Sequence, residues 1–456
     1  MALVAALYSA FWAIFYWQID LTQPVWTLPI FPISIDISTP FTWLSLTFQI
    51  QPDNQPMLLT IYALATVAFA LATRISQGHG FVPFTLAILA GYSAFYLLES
   101  GPISPPLLGP LFLVGFTCAG VFVFQLERLN RPQSGNASGP LRMLIPPALS
   151  VPLFLTAAWY IELIPLNLQA ETTMDIAVTP TAGLLLAVGM LLLFAPVPLH
   201  VAQPAIAQVA PPVVTALLTI LYQLALLFLF NRVIVPYPFV YEETALATWL
   251  MWAGIATATW AGAAAAGTKH PGRLWGYAAL HDWGLIIMMT AVMPPSVRNW
   301  TLILSLFVLR AVSMFTAAVG LGIIERHVGN LEPESLTGVG NRLPWNTAAY
   351  LLGGLGLAGF PLSAGFAGHW SALQIIAGGN GWETATLILL ASCGAMVGFV
   401  RMARLFFAPL NNYGVRPEGP ISVIFALLML LLSVSLSVVP QVLDAPITRI
   451  LTAFSG

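Results

Sequence analysis

Apolar residues fill this chain in long blocks, and the polar positions fall almost entirely in the gaps between them. At roughly 20 apolar residues per membrane span, the pattern predicts helices near 2–17, 57–73, 82–98, 105–126, 143–165, 180–196, 198–231, 244–267, 273–293, 299–324, 346–378, 384–408 and 420–440. The expected fold is an all-α polytopic membrane protein of about 13–14 transmembrane helices. Residues 18–56 carry Pro24, Pro29, Pro32, Pro40, Pro52 and Pro56, too many for a helix, and read as an extended external segment.

Two of the apolar blocks are interrupted. From Pro196 to Gln223 five prolines stand inside otherwise membrane-like sequence. Proline removes a backbone donor and clashes with the preceding turn, and non-helical backbone at membrane depth survives only where protein or a water-filled cavity covers it. Pro198, Pro204 and Pro211 therefore mark a broken helix, with His200, Gln203, Gln208 and Gln223 beside it. A second break falls between Gly353 and Trp370, around Gly359-Phe360-Pro361 and Ala364-Gly365-Phe366, with His369 at its end. One interrupted helix in each half is the pattern of inverted-repeat transporters. The competing reading is plainer: a kinked packing helix in the first case and close small-residue packing in the second.

Composition agrees with this picture. Of 456 residues 58% are hydrophobic and 7% charged, and the mean hydropathy is +0.87, which leaves no soluble domain of ordinary size. The formal charge of −2 and the absence of basic runs give no support for a nucleic-acid partner. Cys118 and Cys393 lie in apolar runs and build neither a disulfide, a cluster nor a zinc site by spacing. The segment 2–17 has no positively charged start and no small-residue cleavage site, so it reads as a retained helix. Arg74, Arg128, Arg131, Arg142, Lys269, Arg273, Arg326, Arg342, Arg401, Arg404 and Arg416 fall on one side if the helices alternate as above, which assigns that side to the cytoplasm or its equivalent.

Four motifs carry a family resemblance. Pro198-Leu199-His200, Pro204, Ala210-Pro211 and Val214-Thr215 are followed by Arg273-Leu274-Trp275-Gly276-Tyr277 with His281-Asp282 and Gly284. After these come Ala358-Gly359-Phe360-Pro361 with Ala364-Gly365-Phe366, and then Arg401 with Phe406-Phe407 and Pro409. In this order they resemble the antiporter-like membrane subunits of respiratory complex I, of multi-subunit sodium/proton antiporters and of membrane-bound hydrogenases. The resemblance runs from roughly residue 55 to residue 440. Departures are Ala202 for the family's tryptophan, Gly272 for a lysine, Asp282 for a histidine, Leu362 for a second proline and His369 for a lysine. It implies two antiporter-like repeats, 99–267 and 268–418, preceded by 1–56 and 57–98 and closed by a helix and tail at 419–456.

The resemblance also implies a proton path: a glutamate facing a lysine in the first repeat, lysine or histidine stations between, and a lysine or glutamate ending the second. An intramembrane charge is costly and persists where it is paired or functional. On this alignment the first lysine falls on Gln223, or on Leu224 if the register slips by one. Residues 101–126 and 384–400, where the family's outer carboxylate and its last station belong, carry no charge. The remaining candidates are His200, as proton carrier or backbone cap; Asp282 with His281, as titratable pair or local ion pair; His369; and Arg310. Arg310 is the one cation deep in a predicted helix, near where a family lysine falls, and a guanidinium does not release its proton. Glu162 reads as a snorkelling carboxylate, Glu99 as a helix end, and Glu127 as an interfacial ion pair with Arg128.

The expected function is thus an antiporter-like membrane-arm subunit of a complex I-type quinone oxidoreductase, its own proton pathway impaired or lost and its role structural or coupling. Two alternatives stand beside it: a rewired His/Asp/water relay that still moves protons or cations, and a stand-alone small-ion carrier with Arg310 on the anion. No cofactor belongs to the chain, and an oxidoreductase label would come from the assembly. The expected partners are other membrane-arm subunits, antiporter-like paralogues among them, and lipids. The expected site is a bacterial inner membrane or an equivalent energy-transducing membrane.

Overall fold

The computed structural model describes residues 1–21, 25–27, 34–36, 39–43, 46–75, 77–78, 80–98, 113–115, 117–121, 138–169, 178–292, 297–409 and 415–454. Its principal helices are α1 (Ala2–Gln18), α2 (Gln55–Ala72), α3 (Phe81–Leu97), α4 (Ser138–Gln169), α5 (Val178–Phe194), α6 (Ala202–Val209), α7 (Pro212–Ile234) and α8 (Leu246–Gly267). The second half adds α9 (Pro271–Val292), α10 (Val297–Val328), α11 (Pro344–Gly356), α12 (Phe366–Asn380), α13 (Trp382–Phe406), α14 (Pro420–Val438) and α15 (Asp444–Leu451). Among the described residues seven segments are long and apolar enough to cross a membrane, and α1 and α3 are shorter apolar helices. Of the helix expected at 105–126, residues 113–115 and 117–121 are helical and the rest lies outside the described residues, as do Glu99 and Glu127.

Within the proline-rich segment the described residues include paired extended strands. Residues Val25–Thr27 pair antiparallel with Ser34–Asp36, and Phe41–Trp43 with Leu46–Phe48, giving two small hairpins. The first and last of the principal helices touch: Arg449 of α15 lies 4.1 Å over the Trp17 ring and donates to the Trp17 carbonyl.

Burial sorts the helices. α7 is apolar around its whole circumference, and 94% of its hydrophobic window is buried; a helix without a polar face belongs in the centre. α14 is equally apolar but only 17% buried, so its outward face meets lipid or a neighbour. Around α7, α9 and α10 complete a core whose side chains are almost all covered.

Helices α8, α9 and α13 meet through small residues. A Cβ built on Gly284 would lie 2.5 Å from the Ala258 nitrogen, and one on Gly262 2.2 Å from the Ala391 carbonyl oxygen. Such contacts let backbones approach as side chains could not. Gly262→Val is therefore expected to push α13 from α8 and cost about 1–3 kcal/mol, read as a lower unfolding temperature of the detergent-solubilised protein. An unchanged temperature would show that the two helices are free to separate.

Candidate functional site

The first break is built by capping, not by disorder. α5 stops at Phe194, and Ala195 takes φ 46° ahead of a cis Val197–Pro198 bond. The freed carbonyls of Leu193 and Phe194 accept hydrogen bonds from the Tyr222 hydroxyl at 2.9 Å and the Trp283 indole at 3.0 Å, and the Val197 amide donates to Thr257 Oγ1 at 3.0 Å. Unmet backbone groups at this depth each cost several kcal/mol, so α7, α8 and α9 each contribute one cap. A second interruption at Ala210-Pro211, both extended, separates α6 from α7.

His200 sits half-buried in the turn Leu199–Val201, beside the Pro198 backbone. His200, Gln203, Tyr222 and Gln223 line a cavity with about 70 Å³ of room for water, where one water needs roughly 10–15 Å³. The cavity thus joins the break to the middle of α7.

The second break brings a side chain to the same depth. α11 ends at Gly356, and the chain turns through Gly359 (φ 71°) and Leu362 (φ 67°) before α12 begins at Phe366. The turn is tight: a Cβ on Gly365 would fall 1.9 Å from the Gly356 carbonyl oxygen. The Ala364 amide donates to Ser433 Oγ of α14 at 3.1 Å. His369, in the first turn of α12, is thereby set deep in the bundle instead of at a helix end near the surface.

Between the breaks lies a fully buried polar cluster. Arg310 is 1% exposed and starts roughly 20 Å along α10. Its Nη1 donates to Asp282 Oδ2 at 2.7 Å and to the Ala279 carbonyl at 2.5 Å, its Nε donates to Gln223 Oε1 at 3.1 Å, and its guanidinium stands 5.8 Å over the Trp283 ring. The other carboxylate oxygen, Asp282 Oδ1, lies 3.4 Å from His369 Nε2. His369 Nδ1 is 3.1 Å from the Gly365 carbonyl, which only accepts, so Nδ1 carries hydrogen and Nε2 turns its lone pair to Asp282 unless it too is protonated. Asp282 Oδ1 and His369 Nε2 thus face each other with no hydrogen bond formed between them.

His281 takes a different direction. Its Nδ1 donates to the Ala258 carbonyl at 2.8 Å, which leaves Nε2 to accept from Ser392 Oγ at 2.9 Å in the neutral ring. The His281 and His369 rings are stacked at 6.1 Å. His281 and Asp282, expected together, take different hydrogen-bond partners: consecutive helix residues diverge by about 100°, and Asp282 meets Arg310 and His369 while His281 bonds α8 and α13 and stacks on His369. The structure unites Gln223, His281, Asp282, Arg310 and His369, and places His200 across the cavity. Pro198, Pro204, Pro211 and Pro361 lie at or beside the breaks, and Glu162 is exposed on α4. Tyr222, Trp283, Thr257 and Ser392 were missed by sequence reasoning; their signal is a donor in mid-span that must find an acceptor.

The polar line thus runs laterally, from the cavity through Gln223, Arg310, Asp282 and His369 to His281 and Ser392. Residues 110–398, more than half of the chain, match the family model described as NADH:quinone oxidoreductase/Mrp antiporter, transmembrane. The chain belongs to this family. As a member, it is a multi-pass integral membrane protein, and its polar line lies in the segment that defines the family. It is 23% identical over 403 residues, 84% of this chain and 78% of the relative, to the F(420)H(2) dehydrogenase subunit N of Methanosarcina mazei. Its fold is shared with a chain of an archaeal membrane-bound sulfane sulfur reductase, at TM-score 0.74 and 17% identity over 100% of this chain and 91% of that one. The Mrp complex of a Dietzia species gives 0.73 at 14%, covering 99% and 91%. Respiratory complex I of Thermus thermophilus gives 0.70 at 17%, covering 100% and 99%.

Proposed function

We propose that this antiporter-like chain is a membrane-arm subunit of a complex I-type or Mrp-type assembly in which the central proton station has become a fixed ion pair, and that it serves the arm by structure and coupling. The observation that carries this is Arg310. A guanidinium keeps its proton, and this one is held at once by Gln223, Ala279 and Asp282. A lysine in its place can give a proton up and take it back; an arginine bound on three sides stays charged. The uncharged runs 101–126 and 384–400 support the same reading, since neither holds a carboxylate, lysine or histidine to end a relay.

Exposure at the second break supports assembly with other subunits. Leu362 is 64% exposed, beside exposed Phe360 and Pro361, about 20 Å from the start of α11. Irregular backbone at that depth is not left facing lipid, so a neighbouring subunit covers it. Antiporter-like paralogues fit this place, given the multi-subunit complexes in which the structural relatives occur.

The alternative, a rewired relay, draws on the contact between Asp282 and His369. The test is His369→Gln in the assembled complex, which leaves the Arg310–Asp282 pair in place. Protons moved per turnover are expected to stay unchanged in sealed vesicles. A clear fall in that ratio, with the complex present in normal amount, would replace the proposal by the relay.

A further inference from the structure

Three arginines from distant parts of the chain converge at one end of the bundle. Arg74 follows α2, Arg326 lies in the last turn of α10, and Arg416 precedes α14. Arg326 donates to the Arg74 carbonyl, which holds the two side by side. With His327 they surround a recess of about 530 Å³, within the range of small-ligand sites. Among the described residues no carboxylate lines this recess, and none lies within ion-pair distance of the three arginines.

Like charges held together without a counter-charge repel, and removing that repulsion favours an anion. The recess has a second anion-binding feature, independent of the arginines. α14 starts at Pro420 with no side-chain cap, so the amides of Ile421 and Ser422 in its first turn have no intrahelical acceptor. Ile421 and Phe425 give the same recess an apolar wall. Helix ends are where a multi-pass protein meets headgroups, and basic recesses between spanning helices recognise anionic lipids.

We propose that this recess binds a phosphate-bearing anion, set by position and by its apolar wall for the headgroup of an anionic phospholipid. The arginines meet the phosphate oxygens, the first-turn amides of α14 add to them, and Phe425 lies along the start of the acyl chains. The site is independent of the buried polar line, and its failure would leave the proposed function untouched.

The experiment uses the intact complex, delipidated in detergent and exposed to phosphatidylglycerol diluted in phosphatidylcholine, with retained lipids quantified after gel filtration. Wild type is expected to enrich phosphatidylglycerol. Arg74→Gln and Arg416→Gln should each lower the enrichment about fivefold, the factor for one basic residue at a membrane surface. Lys269→Gln, an exposed position outside the recess, should leave it unchanged. A millimolar inorganic phosphate arm separates the sources: unaltered retention assigns the site to the lipid, and full displacement assigns it to free phosphate. Equal enrichment in wild type and both arginine variants would overturn the proposal.

Discussion

Replacing Asp282 by alanine is expected to cost roughly 3–5 kcal/mol, the usual penalty for leaving one member of a buried ion pair alone. Arg310 would keep its charge 1% exposed in the centre of the bundle, with only the Ala279 carbonyl and Gln223 as neutral acceptors. His369 would lose the carboxylate oxygen at 3.4 Å. The companion variant is Asp282→Leu with Arg310→Met, which removes both charges and fills the space with apolar side chains. Replacing a whole buried pair in this way is often neutral, so the double variant should recover most of the lost stability. Thermal unfolding of the purified complex, or its yield after detergent extraction, measures both. If the single variant matched wild type, Arg310 would have another counter-charge and the reading of the cluster would fall.

The same residues show what the chain reveals in one dimension and what it hides. The breaks were legible because proline and glycine act on their own backbone: Pro198 and Pro211 stand where the first helix is interrupted, and Gly359 and Gly365 where the second turns. The cluster members were legible as well, since Arg310 and Asp282 are charges in apolar runs and such charges are rarely idle. Their partnership was not. Asp282 has His281 beside it in sequence, yet helical geometry sends the two apart, and its real neighbours come from α10 and from α12, 28 and 87 residues away by number. Only the second break, by placing the first turn of α12 deep in the bundle, makes the contact with His369. The hairpins at Val25–Thr27 and Phe41–Trp43 were hidden for a different reason: proline density argues against helix but does not specify strand pairing.

Gln223→Lys, which restores the residue implied by the family resemblance, is expected to damage the protein instead of reviving proton movement. Gln223 Oε1 accepts from Arg310 Nε at 3.1 Å, so the variant exchanges an acceptor for a cation against a guanidinium that does not yield its proton. Two unit charges about 4 Å apart repel by on the order of 4 kcal/mol at an effective dielectric constant near 20. Asp282 cannot offset this alone, since its Oδ2 already holds Arg310. The single variant should therefore accumulate poorly, whereas Gln223→Lys with Arg310→Gln moves the positive charge across the site without adding one and should regain normal amounts. Even that double variant is expected to show no proton uptake in dye-quenching assays on sealed vesicles, because 101–126 and 384–400 still hold no carboxylate, lysine or histidine at either end of the line. Proton uptake by the Gln223→Lys single variant, at wild-type abundance, would mean that the ion pair is not the block and that the pathway was one residue short.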